Sequence, residues 1–216
     1  MNNFNLISAV YDHLARLVFG NTLINSQTQY YGELKNGDKV LIVGGGTGHV
    51  LNKLDALRKP LIVNYLDKSE KMITMSKKRG PFQNIKVNYI LGELDRLGNV
   101  HHDVVLAAFF LDVFTEENLA KVIRRLNQLL KPAGSLIVTD FVNTPKIWHK
   151  VLIGLMYIFF RLTTRLEGKR LLDFDFYLKG EGFVKDRCQP FFDGMIESAI
   201  YHKQSEMNYL PSGADL

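Results

Sequence analysis

The run Val40-Leu41-Ile42-Val43-Gly44-Gly45-Gly46-Thr47-Gly48 constrains this chain more than any other segment. Four apolar residues lead straight into a loop with almost no side chains. That is the pattern of a buried parallel strand whose backbone then passes close to a ligand, because glycine alone tolerates positive φ and tight approach. An amphipathic stretch, 49–57, follows, so the loop also opens a helix whose unpaired N–H groups face a polar or charged group. Glycines at 44, 46 and 48 spell G-x-G-x-G. The dinucleotide fingerprint needs its third glycine at 49, where His49 stands, and the phosphate loop of nucleotide hydrolases needs a Gly-Lys-Ser/Thr that is missing. By itself the loop also fits a strand-to-helix turn that binds nothing.

The next strand narrows this. Residues 61–66 are apolar and β-prone and end in Asp67, nineteen residues beyond Gly48. An acid that binds ribose ends the second strand of such folds after about 20 residues. A carboxylate there accepts bonds from both ribose hydroxyls. The alternative is that Asp67 only starts the helix from Ser69, since Asp caps helices well. Strand end and spacing together favour the ribose.

With these residues in place, the chain resembles the class I S-adenosylmethionine-dependent methyltransferases, in particular the small-molecule group related to ubiquinone and menaquinone biosynthesis. VLIVGGGTGHV is similar to the first motif of that family and NYLDKSEKMITMSKKR to the second. YILGEL resembles the third, HDVVLAAFFLDVF the fourth strand, and LNQLLKPAGSLIVTDF the helix-strand unit after it. The resemblance runs over 4–142 and more weakly to about 203. It implies a Rossmann-like α/β fold, a seven-stranded mostly parallel sheet closed by a C-terminal antiparallel hairpin. It also implies S-adenosyl-L-methionine as cofactor, with S-adenosyl-L-homocysteine as product. Carried over residue by residue, the cofactor site falls on Gly44, Gly45, Gly46, Thr47, Gly48, Asp67, Lys68, Met72, Gly92, Glu93, Leu94 and Ala108. Phe109, Asp112 and Trp148 fall on the substrate side. The family commonly has an acid in its first strand where this chain has Ile42, and a second glycine where it has Ala133.

At 216 residues the chain is expected to form one methyltransferase domain over 1–216, with 1–36 as an N-terminal helical cap and 143–180 as a helical crossover on the substrate side. A single cysteine, Cys188, excludes a disulfide scaffold and reads as a small packing residue on a strand. No signal peptide and no apolar run long enough for a bilayer are indicated, so a cytoplasmic protein is expected. Helices are expected at 4–19, 24–34, 49–57 and 69–79, and from the Thr115 cap to a stop at Lys131-Pro132. Strands are expected at 39–43, 61–66, 86–91, 103–108 and 135–142. A hairpin at 183–192 and 195–203 turns at Asp193-Gly194.

Ligands of open α/β sheets bind beyond the carboxyl ends of the strands. Those ends are the 44–48 loop, Asp67, Gly92-Glu93, 109–112 and 140–143. His101 and His102 precede the fourth strand and so lie at the opposite edge, where they read as surface-loop residues. No Cys/His cluster accompanies them, and no metal is expected. Methyl transfer from a sulfonium needs an in-line acceptor, and a general base only if that acceptor must lose a proton. Tyr11, Asp112 and His149 are the candidates for such a base. Tyr11-Asp12 resembles a pair on the family's N-terminal helix, and a helix-packing role is the alternative for Tyr11. The Asp/Asn-Pro-Pro-Tyr motif of certain amide- and nucleobase-nitrogen methyltransferases is missing from AAFFLDV, which disfavours those acceptors.

Residues 143–172 carry Lys146, Lys150, Arg161, Arg165, Lys169 and Arg170 against Glu167 alone. Their net charge of +5 equals that of the whole chain. At about 100° per residue, the bases at 146, 150, 161 and 165 share one stripe, and Trp148, Val151, Leu152, Leu155, Met156, Phe159 and Leu162 lie opposite. One reading is a crossover helix, broken or not at Gly154, with its apolar side on the sheet. The other is a hydrophobic substrate wall through which residues 145–170 rest on an anionic membrane. Nucleic acid is disfavoured as a partner, because one basic stripe lacks stacking aromatics. The function expected is methyl transfer to a small, apolar or lipid-like acceptor. The alternative is a cofactor-binding protein without transferase activity, motivated by Ile42 and the lack of an obvious base.

Overall fold

A computed structural model describes residues 18–163 and 171–204, apart from the side chains of 159–163. Helix α1 (Thr22–Thr28) and a single 3-10 turn (Tyr31–Glu33) precede β1 (Lys39–Val43). Next come α2 (His49–Asp55), β2 (Leu61–Asp67), α3 (Glu70–Lys77), β3 (Ile85–Leu91), β4 (His102–Ala108) and α4 (Glu116–Leu129). The chain continues with β5 (Leu130–Phe141), α5 (Ile147–Thr163), α6 (Phe174–Gly180), β6 (Phe183–Phe191) and β7 (Ile196–Lys203).

The seven strands form one sheet in the order β3-β2-β1-β4-β5-β7-β6. β1 to β5 pair in parallel and β7 runs antiparallel to both its neighbours. This is the expected mostly parallel sheet with its C-terminal hairpin. Helices cover both faces, so the inner strands are apolar over most of their length, with Asn64, His102, Thr139 and Asp140 as buried polar exceptions. Along β1, Leu41 and Val43 join Val105, Leu119, Ile123, Leu126 and Val138 on one face. Val40 and Ile42 join Leu51, Leu54, Val63 and Tyr65 on the other. A third cluster, Phe19, Phe141, Leu171, Met195 and Ile196, closes the carboxyl edge beside β5 and β7. The direction of connection reverses between β1 and β4, and a crevice opens at such a switch point.

Most elements lie within two residues of their expected places, with instructive departures. The helix expected over 24–34 stops at Thr28, whose hydroxyl donates back to the Ile24 carbonyl. Such back-bonding competes with helix continuation, and only the 3-10 turn follows. β5 begins at Leu130 rather than 135, because Leu130 pairs with His102 before the register skips to Val104 and Ser135. The skip brings Gly134 so close to Leu130 that a Cβ there would lie 2.7 Å from its Cγ. In the hairpin, Phe191 pairs with Ile196, so four residues turn rather than two, with Phe192 and Asp193 at positive φ. α5 runs unbroken through Gly154. Cys188 lies on β6 as expected but is exposed rather than packed. The N-terminal helix before residue 18, and Tyr11 with it, lie outside the described residues.

Two expectations about placement are overturned. His102 lies at the edge opposite the crevice, but it is not a surface-loop residue. It opens β4 fully buried, with Nε2 2.9 Å from Asn64 Nδ2 and Nδ1 3.1 Å from the Leu129 carbonyl. An amide donor on Nε2 and a carbonyl on Nδ1 fit the neutral Nδ1–H tautomer, and burial holds the imidazole below its ordinary value of 6.5. The second concerns α5. Leu152, Ile153 and Met156 pack on the third cluster, whereas Trp148, Val151 and Leu155 face outward with Ile147 and Ile158. The sheet edge accommodates one strip of this helix, and α5 is apolar over more than one strip.

Candidate active site

The crevice is bounded on one side by the loop after β1. Gly44, Gly46 and Gly48 all adopt positive φ, at +63°, +62° and +78°. What surrounds them differs. A Cβ on Gly44 would lie 2.7 Å from the Phe110 ring, on Gly45 2.2 Å from Tyr65 Cζ, and on Gly48 2.6 Å from Ser76 Cβ. On Gly46 it would meet nothing within 4 Å. The loop is packed at three glycines and open at one.

Asp67 ends β2 beneath this loop. Its Oδ2 accepts from the Gly46 N–H (2.8 Å) and its Oδ1 from the Ser69 N–H (2.8 Å). The helix cap itself is Ser69, whose Oγ accepts from the Met72 N–H. Asp67 thus ties loop to helix start, and each oxygen keeps a lone-pair direction beyond the bond it accepts.

Tyr65 is the residue that sequence reasoning missed here. It stands beside Ile42 in the β1–β2 register, fills the space Gly45 leaves, and donates from its hydroxyl to the Gly46 carbonyl (2.7 Å). Burial, then the Asp67 charge, push its phenol well above the ordinary value, so it remains a donor. Ile42, where the resembling family has an acid, is buried in the same cluster. In this chain a phenol supported by an aliphatic neighbour holds the loop. The signal was a bulky residue opposite a triple glycine, which only the strand register turns into a contact. Arg79 completes the collar, donating from Nε to the Thr47 carbonyl (2.5 Å).

The other expected cofactor positions are spread along the same edge. Lys68 is exposed, Met72 half-buried, and Ala108 ends β4 half-buried. Gly92 has φ +142° and leads into exposed Glu93. Leu94 is different, because its side chain is buried in the first core cluster, so only its backbone faces the edge.

Across the crevice, the loop after β4 is fixed by a second unanticipated residue, Asp140 of β5. Its Oδ2 accepts from the N–H groups of Phe110 (3.3 Å), Leu111 (2.9 Å) and Asp112 (3.3 Å), and its Oδ1 from Phe141 (2.9 Å). These bonds hold Phe109 at φ +49°, an uncommon conformation for a non-glycine residue. Asp112, a candidate base, has its carboxyl buried, with Oδ1 lacking a hydrogen-bond partner among the described residues. Burial lifts its pKa to about 6, and burial together with the Asp112 charge lifts Asp140 as well. Two buried carboxyls resist ionising together, so the pair keeps one proton to higher pH than a lone carboxyl does. The Tyr157 hydroxyl of α5 donates to the Asp112 carbonyl (3.1 Å).

His149, the other described candidate base, is fully buried. Its Nδ1 lies 2.5 Å from Thr144 Oγ1 and its Nε2 3.7 Å from the Asp193 carboxylate. That Nε2 is buried with no hydrogen-bond partner among the described residues, and it is Lys146, 2.5 Å from Asp193, that ties the start of α5 to the hairpin turn. Trp148 is about half exposed, packed edge-on against Phe192. The structure therefore brings Phe109 and Asp112 to the crevice wall, while His149 is part of the scaffold behind it.

Residues 40–134 match a family model described as a methyltransferase domain. No curated protein matches the chain at a significant level. Among solved structures, the chain is similar to a SAM-dependent methyltransferase from Methanosarcina mazei, at 20% identity and TM-score 0.59, over 80% of this chain and 95% of that one. A TehB-like SAM-dependent methyltransferase from Corynebacterium glutamicum aligns at 14% identity and TM-score 0.63, over 93% and 98%. An O-methyltransferase family protein from Burkholderia thailandensis aligns at 16% identity and TM-score 0.70, over 95% of this chain and 61% of that one. The matched region spans the glycine loop, Asp67 and the β4 loop, so residues 40–134 carry a methyltransferase domain in a chain that has the class I methyltransferase fold.

Proposed function

We propose that this enzyme methylates a small, apolar or lipid-like acceptor by direct in-line displacement, as the small-molecule group related to ubiquinone and menaquinone biosynthesis would. The observation that carries the acceptor class is the composition of the wall facing the glycine loop. Phe109, Phe141 and Phe192 meet Leu152, Ile153 and Met156 of α5 there, beside the buried Asp112–Asp140 pair and Tyr157.

The cofactor fits this chain on two structural grounds. The open side at Gly46 leaves room for a ligand to lie against the loop, and the two Asp67 oxygens retain acceptor capacity for a pair of hydroxyls. In this reading Gly44, Gly45, Gly46, Thr47 and Gly48 cradle the nucleoside, Asp67 holds the ribose, and Lys68 and Met72 flank it. Gly92, Glu93 and the Leu94 backbone bound the adenine end, with Ala108 on the β4 side. When bound, S-adenosyl-L-methionine supplies a methyl group made electrophilic by its sulfonium. Phe109 and the apolar wall orient the acceptor and exclude water. Positioning of this kind supplies much of the rate. Asp112 accepts a proton only where the acceptor has one to lose, through the unpartnered Oδ1. Peripheral contact of residues 145–170 with an anionic membrane belongs to the same proposal.

The test is transfer from methyl-labelled cofactor into matched apolar and polar acceptor fractions of a cell extract. Label appearing in an organic-extractable product supports the assignment. Label confined to water-soluble product or protein overturns it.

A further inference from the structure

We propose that the outward strip of α5 is a docking surface for an anionic lipid membrane. This deepens the acceptor assignment by naming where an apolar acceptor is met, and it rests on that assignment only in this respect. The observation is an apolar strip with no partner among the described residues, on a helix whose other side packs on the third cluster. Ile147, Val151, Leu155 and Ile158 are 79%, 57%, 59% and 57% exposed, and Trp148 stands beside them at 47%. Their spacing of four, four and three residues puts them on one side of the helix. Isolated exposed apolar residues need no explanation, but a contiguous strip marks a contact surface. The opposite side, through Leu152, Ile153 and Met156, is anchored to Phe141, Met195 and Ile196. The strip is thus presented by a fixed element. An open, shallow apolar surface lies along it, lined among the described residues by Lys146, Ile147, Trp148, Val151, Leu152 and Leu155.

Charge selects the occupant. Lys146 and Lys150 are exposed beside the strip, and no acid occurs between Asn143 and Ile158. Among the described residues Asp193 is the acid met there, and it pairs with Lys146. Over 143–172 six bases face one acid in sequence. An apolar strip with a cationic flank and a tryptophan at its border is the make-up of a helix that lies in a lipid interface. No described helix is long and apolar enough to cross a membrane, so contact is in the plane. A second copy of the chain would bring like charges together along the same strip, whereas anionic headgroups meet them with opposite charge.

Trp148 is the chain's only tryptophan, so its emission reports on this surface alone. The full chain is titrated with vesicles of phosphatidylcholine and with vesicles containing about one-third phosphatidylglycerol. S-adenosylhomocysteine binding is measured by calorimetry on the same preparation. The expected result is a blue shift and quenching by brominated lipid with the anionic vesicles. Binding to them should be roughly tenfold tighter than to neutral ones and should weaken as salt rises. A Val151→Ser/Leu155→Ser double variant should lose vesicle binding while keeping its S-adenosylhomocysteine affinity, and Lys150→Glu should narrow the anionic preference. Unchanged emission with both vesicles overturns the proposal, as does equal binding to both. A stable dimer dissociated by Leu155→Ser, without vesicle binding, also overturns it in favour of a second copy. Failure to bind S-adenosylhomocysteine strikes the cofactor assignment instead and is read separately.

Discussion

On the β1 side of the crevice, Gly44–Gly48 is gripped from within. Asp67 accepts from Gly46, Tyr65 donates to it, Arg79 donates to Thr47, and Ser76 abuts Gly48. On the β5 side, α5 is bolted to the sheet along one strip and turns another toward solvent. The first region is determined by short-range backbone geometry and the second by surface area left over. The difference teaches that a ligand with fixed polar groups is met by a preformed cradle. An apolar acceptor requires only a seated greasy wall, and nothing in such a wall must point in one direction.

Removing the carboxylate at the centre of the first region should break the comparison most severely. Asp67→Ala deletes charged bonds to Gly46 and Ser69 as well as the acceptor proposed for ribose. Bonds to charged groups contribute about 1.5–3 kcal/mol each, so S-adenosylhomocysteine should bind about 100-fold more weakly in titration calorimetry. Asp67→Asn, which keeps the size and one acceptor, should fall between. Unchanged affinity in both would remove Asp67 from the site.

Gly48→Ala comes next and acts on stability rather than on the ligand. Its Cβ would sit 2.6 Å from Ser76 Cβ and 2.9 Å from Ser76 Cα, at φ +78°. Left-handed geometry alone costs about 1–2 kcal/mol, and the clash adds to it. Urea melts should show a loss of about 2–3 kcal/mol. Gly46→Ala shares the φ penalty but meets no neighbour, so it should lose less stability and proportionally more affinity. Equal stability losses in the two variants would show that the loop relaxes around Ser76.

Tyr65→Phe removes one buried donor and leaves the ring that fills the gap at Gly45. A loss of about 1 kcal/mol is expected, read as a lower urea midpoint and a several-fold weaker affinity.

These three tests separate what was legible in the sequence from what was not. The glycine run and Asp67 were legible because strand, loop and cap each carry a local residue signature. Tyr65, Asp140 and His102 act on residues 19 to 38 positions away, through Gly46, Leu111 and Asn64. No local pattern encodes such contacts, because strand register and side decide them. The orientation of α5 was illegible for a related reason. Helical periodicity separates its basic stripe from its apolar residues, but it does not say which apolar strip the sheet edge will take.

Smaller effects follow from the buried titratable groups, and their signs oppose. His102 sits below its ordinary 6.5 because burial disfavours its charge. As pH falls below about 6.5 the unfolded chain takes a proton that the folded one refuses, so stability falls. The Asp112–Asp140 pair is raised from the ordinary 3.8, Asp112 to about 6. The folded state therefore holds the extra proton at low pH, and stability falls as pH rises through about 6. Between about pH 5 and 6.5 the two effects oppose each other, so thermal midpoints of the native chain should vary little there. Asp140→Asn weakens the carboxyl contribution and should leave a clearer loss on acidification, which belongs to His102. An unchanged profile in Asp140→Asn would place the opposing contribution outside this pair.

The smallest effect expected is the most discriminating for the second region. Leu155→Ser exchanges an exposed apolar side chain for a polar one on the outward strip, so its cost in stability should stay within about 0.5 kcal/mol. Leu152→Ala, three residues earlier on the seated strip, removes packing against the third cluster and should cost about 2 kcal/mol, at the low end for a partly buried leucine. Urea melts of the two variants read the difference directly. Similar losses at 152 and 155 would mean that the outward strip is covered in the free protein. The wall would then be a packed core element, and the contrast between its gripped and open sides would not hold.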